Sequence, residues 1–157
     1  MVDRESAFYK YLSEGQRGLV EESLVLLDEA KENKERNLVD YAYIVFPMAK
    51  AYEGFLKQIF VDRGFISSHQ YNSDHFRIGK ALSPNLVYHL RGKSVYFLVK
   101  QKHNDFLADK MWQMWKRGRN VIFHYFPHNY QAIDLPTAEQ LVYDFIRVME
   151  EIYVECK

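Results

Sequence analysis

A chain of 157 residues, 48% hydrophobic and 27% charged, is long enough to bury one core without staples, and its composition excludes a disordered polymer. Its formal net charge is zero, so any attraction to a charged partner has to be local. The single cysteine, Cys156, excludes an intrachain disulfide, and no apolar run approaches the ~18 residues that a membrane helix needs. The opening MVDRESAFYKYL has no apolar signal-peptide core, which gives the expectation of a cytoplasmic protein without membrane contact.

Apolar spacing along the chain is mostly helical, with few strand-like alternations. A first helix is expected to begin near Asp3 and to run into a second part at Ser13-Glu14-Gly15-Gln16, which has the form of a capping box. Leu19, Leu24, Leu26 and Leu27 carry that second part to about Asn33, and KENKER follows as a polar turn. From Leu38 to Gly64 the sequence is apolar almost all round, the mark of a buried central helix, with Pro47 bending it or starting its second part. Residues 65–85 hold turn residues around a short helix, and Leu86 to Val99 is a further short helical segment. A helix is expected from about Asn104 through Trp112 and Trp115, and a last one from about Thr137, where Thr137-Ala138-Glu139-Gln140 reads as another capping box, to about Val154. Neither repeat nor linker is evident. The expected architecture is a single all-α domain over residues 1–157, an antiparallel bundle of four principal helices with short accessory helices.

Charge is distributed unevenly. Residues 89–128 carry eight Lys or Arg (Arg91, Lys93, Lys100, Lys102, Lys110, Lys116, Arg117, Arg119) against Asp105 and Asp109, together with four of the six histidines. Such a segment is either a solvated helix face or a surface for an anion. It ends in KRGRNVIFHYFPHN, Lys116 to Asn129, which contains the spacing Arg119-x4-His124. Composition alone produces about one Arg-to-His pair at gaps of four to six, and Arg63-x5-His69 is such a decoy, set at a helix end without neighbouring cations in the sequence. Context distinguishes Arg119: Asn120 follows it, Val121-Ile122-Phe123 fills the gap, and the cations cluster before it. If Asn120 caps a new helical turn, free N–H groups and the positive dipole end meet Arg119 at a phosphate site. If the helix instead runs on to Pro127, Arg119 and His124 lie about 140° apart around it.

RNVIFHYF in a basic helical region, preceded by an apolar helix carrying AKAYEGFLK, resembles the HEPN superfamily of all-α domains. The Glu53-bearing helix is most similar to that of the RNase LS type of toxin. The resemblance spans about Leu38 to the C-terminus. It implies a homodimer whose two Arg–His motifs face one cleft, metal-independent cleavage of RNA, and a toxin–antitoxin or phage-defence setting with an antitoxin protein as partner. Where HEPN toxins neutralised by nucleotide modification carry a tyrosine two residues after the histidine, this chain has Phe126, with the tyrosine at Tyr125.

The resemblance assigns proton transfer to His124, whose ordinary pKa of ~6.5 suits acid or base work, and clamping of the phosphorane to Arg119, whose guanidinium forks onto two phosphate oxygens. Glu53 either orients His124, shares in proton transfer, or forms a plain salt bridge to Lys57 or Lys50. Asn120 either caps the helix or hydrogen-bonds the phosphate. Lys116 and Arg117 attract the RNA backbone. His128 reads as a loop histidine, and Trp112 and Trp115 as core or dimer-interface residues. No cofactor is expected, since Glu-x-x-His, a second cysteine, Gly-rich phosphate loops and Gly-x-Ser-x-Gly are missing from the sequence. The reading in another class is a catalytically inactive helical module that binds RNA, nucleotide or a partner protein.

Overall fold

The computed structural model describes residues 2–33, 37–124, 127 and 131–157. Among them every regular element is helical. The first break in the chain comes from competing caps. Asp3 turns its carboxylate onto the Glu5 N–H at 2.9 Å, so the helix waits for Ser6, whose Oγ accepts from the Tyr9 N–H at 3.1 Å. Helix α1 therefore spans only Ala7–Tyr11, later and shorter than a start near Asp3. Ser13 then opens α2, Glu14–Glu32, through the expected capping box, with both reciprocal bonds formed to Gln16.

The central helix α3 spans Ala42–Asp62. It begins four residues after Leu38 because Asp40 accepts from the N–H groups of Ala42, at 2.9 Å, and Ile133, at 3.2 Å. Pro47 lies inside the helix without ending it. The carbonyl it deprives of a partner is that of Tyr43, a residue 42% exposed and open to water. Ile44, Val45, Met48, Tyr52, Phe55, Leu56 and Phe60 on the inner face are fully buried, whereas Tyr43 and Phe46 on the outer face are exposed, so the apolar run is buried on one side and not all round.

Short helices follow: α4, Ser68–Tyr71; α5, Ile78–Ala81; α6, Val87–Leu90, after a 3-10 turn; and α7, Val95–Lys102. Left-handed Arg91 and Gly92 (φ 43° and 79°) terminate α6. Asn104 caps α8, Asp105–Trp115, by accepting from Leu107 N–H at 2.7 Å. The last helix, α9, spans Leu135–Cys156. Its start corrects the expected Thr137 box: Asp134 is the N-cap, accepting from the Thr137 N–H at 2.9 Å. An anionic cap followed by Pro136 in the first turn suits the helix dipole and the missing proline N–H better than a hydroxyl cap three residues later. The Thr137 hydrogen bonds hold the Asp134 carboxyl below its ordinary pKa.

Helices α2, α3, α8 and α9 are the principal members of the bundle. Helix α3 lies between α2 and α9, and α8 packs on α7 and α9. Tyr52, fully buried, donates its hydroxyl to the Met111 carbonyl at 3.0 Å, which pins α3 to α8 one residue before Glu53. Among the described residues, no helix is long and apolar enough to cross a membrane.

Candidate functional site

Helix α8 does not stop at Trp115. It runs directly into one π-helical turn, Lys116–Asn120, closed by the Val121 N–H to the Lys116 carbonyl at 3.0 Å. Gly118 at its centre is buried against α9: a Cβ there would stand 2.2 Å from Phe145 Cζ and 2.6 Å from Met114 Cε. Only glycine lets the wide turn lie this close to a fully buried ring. Turns of this kind are rare and concentrate at functional sites.

The π turn sends its two arginines to different neighbours. Arg119 lays its guanidinium over the Trp115 ring, 4.7 Å from the centroid, and brings Nε to within 3.5 Å of Glu53 Oε2. Glu53 is also paired across one helical turn with Lys57, at 3.5 Å. Of the alternatives for Glu53, the plain salt bridge is present, with Lys57 rather than Lys50, and Arg119 joins it. These side chains line a cleft of about 610 Å³ whose wall includes Lys50, Phe46, Phe123 and the exposed His124. Glu53, Arg119 and His124, distant in sequence, therefore share one cleft. Three cations surround one carboxylate there, a surplus that favours an anionic ligand.

Neither alternative for the Arg119–His124 backbone is realised as stated. Asn120 is the exposed last residue of the π turn, not a cap for a new helix, and residues 121–123 form a turn in which Phe123 N–H reaches the Arg119 carbonyl at 3.3 Å. The chain folds back over α3 within that turn, which is how a histidine five positions on reaches the arginine's cleft. Tyr125, Phe126 and His128 lie outside the described residues.

Lys116 and Arg117 are placed apart from this cleft. Both line a second cavity of about 570 Å³ on the α9 side, walled by Val121, Ile122, Ile133 and Leu141. Arg117 is taken by Asp144, at 2.5 Å. Other cations of the basic segment are likewise paired: Lys100 with Asp105 at 2.7 Å, and Lys110 with Glu151 and Glu155 at 2.9 and 3.2 Å. Much of the segment's charge thus faces acids of α8 and α9. The cleft's positive surplus comes from Arg119 and, outside that segment, from Lys50 and Lys57 of α3. Trp115 is buried, as a core residue should be, and in addition supports Arg119. The decoy arginine, Arg63, does gain a neighbouring cation, since Lys102 donates to its carbonyl at 3.2 Å. His69 does not line the groove that Arg63 and Lys102 form.

Asp144 anchors the back of the π turn and makes a pH test possible. Burial raises its carboxyl pKa, but hydrogen bonds from Arg147, Arg117 and Gln140 and the Arg117 charge outweigh that, leaving it below the ordinary value. A carboxylate depressed in the folded state contributes stability above its unfolded pKa and loses it as pH falls through the folded one. Asp144→Asn is therefore expected to cost about 1–3 kcal/mol at pH 7, toward the low end because the Arg117 and Arg147 side chains are 56% and 58% exposed. In urea melts the gap to wild type should narrow below about pH 4; a gap that ignores pH contradicts the assignment.

No protein-family model, curated protein or solved structure matches the chain.

Proposed function

We propose that the Glu53–Arg119–His124 cleft cleaves RNA without a metal ion. The observation carrying this reading is the convergence of one carboxylate, one guanidinium and one imidazole in a single cleft with surplus positive charge. The 2′-oxygen of the substrate attacks its own phosphorus, a bond forms between them, and the bond from phosphorus to the 5′-oxygen breaks. His124 removes the 2′-OH proton. Arg119, held by Glu53 and supported by Trp115, neutralises the phosphorane with its fork of N–H donors. Glu53 acts as a positioning residue for Arg119. Among the described residues the cleft offers a divalent ion one carboxylate, flanked by Lys50, Lys57 and Arg119, which serves it poorly.

The leaving 5′-oxygen needs a proton, and a second copy of the chain facing the same cleft would supply it from its own motif. A homodimer is therefore part of the proposal, as the HEPN resemblance implies; a single-chain mass by light scattering would end that part. A toxin role restrained by an antitoxin protein also rests on the resemblance. Purified protein should cut single-stranded RNA in EDTA and leave DNA of the same sequence intact, because DNA has no 2′-OH. Equal cleavage of both, or a requirement for Mg²⁺, overturns the mechanism. The engagement of Arg119 by Glu53 and Trp115 also fits a non-catalytic binding module; RNA bound in a strongly salt-dependent way but never cut would favour that second reading.

A further inference from the structure

We infer that Phe46 is a base-stacking platform and that the outer stripe of α3 is the track on which a single-stranded RNA lies. This rests on the reading of the cleft as an RNA site and adds to it the form of the substrate and the residue that selects it.

Tyr43, Phe46, Lys50, Glu53 and Lys57 succeed one another at steps of three and four, so they form one line along α3, ~21 Å long at 1.5 Å per residue. On a helix whose opposite face is fully buried, Phe46 leaves 51% of its surface in water and Tyr43 leaves 42%. Exposing two rings has an energetic cost, since a buried aromatic contributes to the core. Phe46 is moreover held in place: Phe123 packs on it with centroids 5.5 Å apart and planes at 78°, and the Lys50 ammonium stands 5.7 Å from its centroid. Phe46, Lys50, Glu53, Lys57 and Arg119 all line the one cleft.

A fixed aromatic face beside a group of cations matches a chain that carries bases beside phosphates. Stacking takes up the base, and Lys50, Lys57 and Arg119 take up the backbone. An apolar protein partner would not call for Lys50, Lys57 and Arg119 beside the exposed ring, whereas an anionic chain with π faces does. Within a duplex the base faces are covered by their neighbours, so the platform is useful only to unpaired nucleotides. The base seated on Phe46 would lie next to the phosphate held by Arg119, and so would set which linkage is cut.

The test uses full-length protein and a fluorescein-labelled eight-nucleotide 2′-O-methyl RNA, which cannot be cleaved through its 2′-oxygen. Phe46→Leu keeps an apolar contact for Phe123 and loses the π face. Its Kd for the single strand should rise about 5- to 150-fold, with the helical circular dichroism melt unchanged, and Phe46→Trp should restore or exceed wild-type binding. The same oligomer annealed to its complement should bind more weakly and be indifferent to Phe46→Leu. A single-strand Kd unmoved by Phe46→Leu overturns the inference, as does a duplex bound equally well. Cleavage of the unmodified oligomer in EDTA is scored separately. If cutting persists while Phe46 proves neutral, the ribonuclease reading stands and the platform falls; if binding depends on Phe46 but nothing is cut, the platform stands and the ribonuclease reading falls.

Discussion

Arg119→Ala and His124→Ala are each expected to abolish measurable RNA cleavage while leaving the helical circular dichroism signal in place. For Arg119 the expected loss is at least about 10²–10³-fold, the usual consequence of removing one preorganised donor from a transition state in which charge develops. Its guanidinium touches Glu53 at 3.5 Å and Trp115 at 4.7 Å, and its side chain is 40% exposed, so truncation releases a weak surface pair without opening the core. Stability should therefore change by no more than about 1 kcal/mol, and a large activity loss reports on chemistry. Arg119→Lys keeps the charge but gives up the fork and the planar stack on Trp115, and should recover little activity. His124 lies exposed at the cleft wall, so its replacement is also mild for the fold. His69→Ala, in the decoy, should leave turnover unchanged. Wild-type rates in the Arg119 or His124 variants would remove the cleft from consideration.

Gly118→Ala should destabilise the protein and disturb the cleft together. Its methyl group would fall 2.2 and 2.5 Å from two atoms of the Phe145 ring and 2.6 Å from Met114 Cε. Phe145 is fully buried and packs on Tyr52 with centroids 5.1 Å apart, so the ring has nowhere to retreat. Overpacking of this kind costs typically about 1–3 kcal/mol, or about 2–4 °C in Tm for each kcal/mol at this chain length. If the π turn moves away from α9 to relieve the clash, Arg119 moves relative to Glu53, and activity should fall beyond what lost stability explains. Phe145→Leu in the same chain frees space and should return part of both losses, a coupling expected only of residues in contact. A Gly118→Ala protein that melts with wild type would contradict the packing described.

The features legible in the sequence were those with a local cause. The all-round apolar run before Gly64 could only be a buried helix, and Ser13 with Gln16 supplied its own capping box. At α9 two capping residues stand three positions apart, Asp134 and Thr137, and the choice between them depended on the charge of one and on Pro136. The π turn had no local signal, because the reason for it is the Phe145 ring on another helix. Likewise the basic run looked like a surface because its partners are remote: Arg117 meets Asp144 at a separation of 27 residues and Lys110 meets Glu155 at 45. Arg119, His124 and Glu53 are legible in the sequence and its family resemblance, whereas Lys116 and Arg117 adjoin them only along the chain and sit at a different cavity. The stripe from Tyr43 to Lys57 was present in the sequence as a three-and-four spacing of large polar or aromatic residues inside an apolar helix. It was obscured because the apolar character of that helix dominates any reading of it.

The most direct measurement is cleavage, in EDTA, of an RNA carrying a single 2′-deoxy nucleotide immediately 5′ of the preferred cut, with the ends of the products determined on the unmodified RNA. Attack by the substrate's own 2′-oxygen requires that the one deoxy position abolish cutting at that linkage and no other, and that the unmodified RNA yield a 2′,3′-cyclic phosphate or its opened product opposite a 5′-OH. Cutting that continues at the deoxy position, or products ending in a 5′-phosphate, would contradict it.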